Sequence, residues 1–150
     1  MTKGSWGASK RSLSQVEHIT HDWLTPCEYL PYIDALLKNI DLDPCSTYDA
    51  NNQFLRARKI YTYEIDGLNI EEPWTGKTYL FPPTFGRCSF AEKRGTWRWS
   101  LSAGKGAKAP SVIWFRRLLR EWKLRNIPEA LFFTTYPEMI RTCPEMWDFP

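Results

Sequence analysis

The run Gly76-Lys77-Thr78-Tyr79-Leu80-Phe81-Pro82-Pro83-Thr84-Phe85-Gly86 decides how this chain is read. Thr78 to Phe81 has the β-branched and aromatic character of a strand. The double proline stops it, because proline has no N–H to offer a sheet. Prolines at a strand end also stiffen the exit and aim carbonyl oxygens outward, which suits acceptance from an exocyclic amine. The plainer reading is a strand terminator and nothing more.

Working outward, the same punctuation recurs. Thr25-Pro26 reads as a helix start, with Thr25 as N-cap and Pro26 at the first helical position. Tyr29, Leu30, Ile33, Leu36 and Leu37 then follow at helical spacing, and the helix should end near Asn39. A short strand is expected next, with Ile40 and Leu42 inward, Asp41 and Asp43 outward, and Pro44 as its stop. Residues 45–57 read as a polar loop. Lys59 to Glu64 is a second β-rich run, and Asp66-Gly67 is a turn signal. Ser111 to Asn126 predicts a helix, with Val112, Phe115, Leu118, Leu119 and Trp122 on one face and Arg116, Arg117, Arg120 and Lys123 largely on the other. Ala130 to Thr135 predicts a fourth, buried strand. The 27 residues between, 84–110, lack periodicity apart from a possible small hairpin arm at Trp97 to Ser100, and a loop that long is usually functional or disordered.

This alternation predicts an α/β domain with an open, mostly parallel sheet flanked by helices. Ligands of such sheets bind outside the carboxyl ends of the strands. Asp43-Pro44, Glu64 to Asp66 and Pro82-Pro83 are expected there together. Asp43 suits an amine or ribose hydroxyl, although Asp-Pro is also a common turn starter. Thr25 at a helix N-terminus suits a ligand carboxylate, although a cap beside a buried Trp23 is the plainer reading.

The 150 residues suit a single domain, and 43% hydrophobic content supports a real core. Residues 1–20 read as a flexible arm preceding a domain over 21–150. The arm has no apolar signal segment and the chain has no membrane-length apolar run, so an intracellular protein, cytoplasmic or nuclear, is expected. The chain stops at Trp147-Asp148-Phe149-Pro150 without an obvious closing element, which leaves a truncated fifth strand open. Cys27, Cys45, Cys88 and Cys143 form no Cys-x-x-Cys pair and read as reduced, mostly buried thiols. His18 and His21 lack a third ligand, so no metal site is expected. The net charge of +3 conceals an asymmetry: residues 84–126 hold eleven Lys/Arg against two acids, a net +9, and the remainder is −6. With Trp97, Trp99 and Trp114 in the same segment, the pattern points to a polyanion partner rather than a solvated face.

In order, Trp23-x-Thr25-Pro26, Asp41-Leu42-Asp43-Pro44-Cys45, Tyr61-Thr62 with Asp66-Gly67-Leu68, Pro73-Trp74 and Pro82-Pro83, then a helix and an apolar strand, resemble the phage-type DNA N6-adenine methyltransferases (the Dam-like family). The likeness runs from about Asp22 to Phe133. It implies a Rossmann-like fold that uses S-adenosyl-L-methionine to methylate adenine N6 in double-stranded DNA, with the target base flipped from the stack. By that resemblance Trp23, Thr25, Pro26, Asp43, Pro44 and Asp66 (or Glu64) line the cofactor, and Pro82, Pro83 and Phe85 meet the base. Arg87, Lys93, Arg94, Arg98, Lys105 and Lys108 face DNA, and no metal is implied. The chain departs from the family where Asn accepts from the adenine amine: Phe81 stands there, and Thr84 stands where Tyr is usual. Loss of one such oriented polar contact is worth on the order of 10²–10³ in rate. Two functions follow, an active methyltransferase working through the Pro82 carbonyl and Phe85, or an inactive DNA-binding or regulatory relative. Methylation of another substrate is a third.

Overall fold

The computed structural model describes residues 24–62, 64–83 and 109–149, together with the backbone of 87–91 and 96–100. Its strands are β1 (Leu42–Asp43), β2 (Lys59–Ile60), β3 (Thr78–Leu80), β4 (Arg87–Ala91), β5 (Thr96–Ser100) and β6 (Ala130–Phe132). Its α-helices are α1 (Leu30–Leu37), α2 (Tyr48–Ala50), α3 (Pro110–Lys123) and α4 (Met139–Thr142). The sheet runs β2-β1-β3-β6, and every pair in it is parallel. This is the expected α/β architecture in small form.

Side chains alternate across β1 and β3 and build two cores. Leu42 and Leu80 join Trp74, Ile113, Trp114, Phe115 and Leu118 on the α3 side. Tyr79 and Phe81 join Ile33, Leu37 and Ile40 on the α1 side. With both faces covered, the inner strands have no outward side. Asp43 is therefore not outward-facing as its alternation with Leu42 suggested; it is 2% exposed.

The strands are shorter than their sequence runs: the second stops at Ile60, the third at Leu80 and the fourth at Phe132. Residues 45–57 are not a plain loop. Thr47 caps α2 by accepting from Ala50 N at 3.1 Å, and a π-helical turn follows over Asn51–Leu55. The Asn51 side chain closes the segment by accepting from Ala57 N and donating to Ala57 O. Likewise 84–110 contains a hairpin, β4 antiparallel to β5 with Cys88 opposite Trp99 and Ser89 opposite Arg98. The tail also contributes: Met139 and Cys143 are fully buried against the α3 core. Cys27 is exposed and Cys45 half-buried, so the expectation of mostly buried thiols holds only for Cys143 among the described cysteine side chains.

Helix α3 departs most from its helical-wheel reading. Its first half is buried all round, from Pro110 to Phe115. Trp114 stacks on Trp74 at 6.2 Å, so it is a core residue and not a surface aromatic. Arg117 is buried too. Its Nε lies 3.0 Å from Glu121 Oε1, its Nη2 donates to Glu72 O at 2.9 Å, and its guanidinium lies over the Trp74 ring. Asn126 donates to the other Glu121 oxygen at 2.7 Å. Conversely Trp122, assigned to the apolar face, is 45% exposed and meets Phe149 edge-on at 5.1 Å. Leu36 of α1 is likewise exposed.

Removing one partner of a buried pair strands the other charge. Arg117→Ala should therefore lower unfolding free energy by about 3–5 kcal/mol, measured by urea denaturation at neutral pH. A loss no larger than that of a surface substitution would show that Glu121 does not depend on it.

Candidate ligand site at the strand ends

The strand order contains one reversal. β2 lies on one side of β1, while β3 and then β6 lie on the other. The crevice of such a sheet opens at the carboxyl ends of the two strands flanking the reversal. Here those strands are β1, which leaves as Asp43-Pro44-Cys45, and β3, which leaves as Phe81-Pro82-Pro83.

Asp43 ends β1 and is buried. Its Oδ1 accepts from Cys45 N at 3.1 Å, which ties the carboxylate to its own exit turn. Burial pushes its carboxyl up to about 6, and the bonds from Cys45 and the Ser46 side chain only partly offset that rise. Beside it, Tyr79 stands on the same face of the sheet, fully buried, with its hydroxyl 2.7 Å from Thr25 Oγ1. Burial raises the Tyr79 phenol, and the Asp43 charge raises it further, so Tyr79 remains a neutral hydroxyl.

Thr25 thus has a different role from the one expected. The helix it precedes opens with a 3-10 turn, Cys27–Tyr29, whose N-cap position is Pro26, without a side-chain cap. The Thr25 hydroxyl instead reaches across 54 residues of sequence to β3. This anchors the Thr25-Pro26 segment over the carboxyl end of the sheet.

Asp66 comes to the same rim by a backbone device. The residue is left-handed, at φ 57, and its Oδ1 accepts from Leu68 N at 3.0 Å. The following Gly67 lies so close to Pro44 that an added Cβ would sit 2.0 Å from the Pro44 carbonyl oxygen. Trp74 Nε1 donates to Gly67 O at 2.9 Å and pins the turn from the core side. Glu64, the alternative acid, is exposed and accepts from Thr62 Oγ1 at 2.6 Å.

The exit of β3 is apolar. Phe81 is 7% exposed and meets Phe133 edge-on at 4.9 Å, and Phe133 in turn packs on Tyr29 at 5.0 Å. Pro82 is buried and Pro83 half-buried. Two contacts tie parts of this rim together, Thr25 to Tyr79 and Gly67 to Pro44, while Pro82 and Pro83 follow the end of β3, the neighbour of β1. Arg87 and Arg98 are described by backbone alone, on β4 and β5. Trp23, Thr84, Phe85, Lys93, Arg94, Lys105, Lys108, His18 and His21, with the arm 1–20, lie outside the described residues. No group of acids, histidines and cysteines among the described residues could hold a metal, and none of the described helices is long and apolar enough to cross a membrane.

Tyr79 is the site residue that sequence reading passes over. The available signal is that a tyrosine inside a buried strand must find a partner for its hydroxyl.

The sign of the Asp43 shift gives a pH test. A carboxyl raised from 3.8 to about 6 on folding binds its proton more tightly in the folded state. Its contribution to stability is thus greatest below the unfolded value and falls as pH rises from about 4 to 6. Asp43→Asn should flatten that part of the stability–pH curve in urea unfolding, by on the order of 3 kcal/mol across the window; an unchanged curve would remove the assignment. No family model, curated protein or solved structure matches this chain.

Proposed function

We propose that this chain is a Rossmann-like, S-adenosylmethionine-binding domain of the DNA adenine methyltransferase type, acting on adenine N6 of double-stranded DNA. One observation carries the reading: the strand reversal sets Asp43-Pro44 and Phe81-Pro82-Pro83 side by side at the rim where such sheets bind nucleotides. The donor set fits the cofactor. Asp43, buried and titrating near 6, gains from a cation brought beside it, and S-adenosylmethionine carries an ammonium group and a sulfonium.

In this reading Asp43 and Pro44 would hold the cofactor beside its sulfonium and ribose. Thr25 and Pro26 cover its amino-acid end, and the Asp66 turn flanks the adenosine. S-adenosylmethionine, when bound, supplies an electrophilic methyl group. The chain's part is to orient the amine that receives it. The Pro82 carbonyl is the acceptor offered at the end of β3, and Pro83 narrows its direction because a proline restricts the ψ of the residue before it.

A second reading has its own support. The Phe81 ring is packed into the Tyr29–Phe133 aromatic row and brings no polar atom to the position where the family carries Asn. This favours a domain that binds cofactor and DNA without transferring a methyl group.

Calorimetry with S-adenosylmethionine, paired with labelled methyl transfer to unmethylated duplex, decides between them. Binding with transfer is the expected result, and Asp43→Ala should weaken binding about 10- to 100-fold, the worth of a charge-assisted hydrogen bond. Binding without transfer selects the inactive relative. Absence of binding ends both readings.

A further inference from the structure

The basic segment that the sequence presents as one block is divided by the fold. Arg117 is consumed in the core by Glu121 and Glu72. Three other cations of α3, Arg116, Arg120 and Lys123, are exposed and follow at i, i+4 and i+7, which places them along one stripe of the helix. They border a shallow cleft of about 410 Å³ that Glu145 closes from the tail.

The helix also has a known direction. Ser111, near its start, receives a hydrogen bond from Thr134 just past β6, at the carboxyl rim. Beyond its end, Glu129 O accepts from Thr78 N at the start of β3, at the amino edge. At about 1.5 Å per residue the stripe thus begins about 8 Å from the rim and continues for another 10 Å or so.

These charges are only lightly engaged. Arg116 stands 4.0 Å from Glu145 with both side chains about 40% exposed, a pairing of little net worth. Arg120 leans toward Glu121 at 3.8 Å, but both oxygens of that acid are already met by Arg117 and Asn126. A line of separated cations matches a linear polyanion better than a single anion. We propose that Arg116, Arg120 and Lys123 form a phosphate-contacting ridge that follows the backbone of the duplex beyond the target base. This rests on the DNA reading above but not on catalysis.

Two ordinary roles compete: cations near a helix C-terminus favour the helix dipole, and surface charges can be idle. Salt dependence separates them. Full-length wild type, R120Q/K123Q and R116Q/R120Q/K123Q are titrated onto a fluorescent duplex at several salt concentrations from roughly 50 to 200 mM. The slope of log affinity against log salt should become shallower by about 0.9 for each cation removed. Equal slopes in wild type and the triple variant would overturn the ridge, and so would a wild type that binds no duplex. Cofactor affinity, measured separately, should be unchanged in the triple variant. Its absence in every protein would remove the methyltransferase reading while leaving the slopes to judge the ridge.

Discussion

The pairing of β1 on both its edges is the constraint from which the rest follows. Only Leu42 and Asp43 form this strand, yet Leu42 is in register with Lys59 on one side and Thr78 on the other. So short a strand needs help at its start, and Asp41 supplies it. The Asp41 carboxylate accepts from Lys77 N at 2.9 Å and from Arg58 at 3.1 Å, clamping the entries of both neighbours. Gly76 makes this possible: it is left-handed at φ 78, and a side chain there would collide with Asp41. With the entries fixed, β1 and β3 run side by side from Leu42 and Thr78 onward.

That arrangement forces polar groups into a covered place. Asp43, Tyr79 and Thr25 are each under 10% exposed, so each must be satisfied within the protein. The Thr25–Tyr79 hydrogen bond and the Cys45 and Ser46 contacts to Asp43 do this. The result is a small buried polar cluster held by an apolar surround, where each hydrogen bond is strengthened by the exclusion of water. The Asp66 turn is built differently, by close backbone approach at Gly67 rather than by side-chain bonds.

The sheet's order of elements was legible in the sequence because prolines and turn residues punctuate it. Pro44, Asp66-Gly67 and Pro82-Pro83 mark real boundaries. What escaped were features decided by three-dimensional cover. Alternation placed Asp43 outward, but a strand covered on two faces buries both parities. A helical wheel placed Arg117 in water, but it cannot register that the 66–74 loop lies over that face and brings Glu72 and Trp74 to it. The Thr25 signal was read locally as a cap, whereas its hydroxyl answers the needs of a tyrosine far along the chain. The helical segment at 48–55 was hidden by its polar composition, which stabilises the turn through Thr47 and Asn51. The strand ends at Pro44 and Pro82 were more readable than the hydrogen bonds around them, since turn residues act locally while hydrogen-bond partners must be found in space.

The aromatic row Tyr29–Phe133–Phe81 makes position 81 intolerant of single polar substitutions. A polar residue introduced there alone would enter an apolar contact and leave Phe133 without its edge-on neighbour. It would lose packing and bury an amide at once. Such a substitution would be better accommodated alongside a change at Phe133, the ring that meets Phe81 directly. What residue 81 can be is thus set by Phe133, about 50 positions away in sequence, which is itself held by Tyr29.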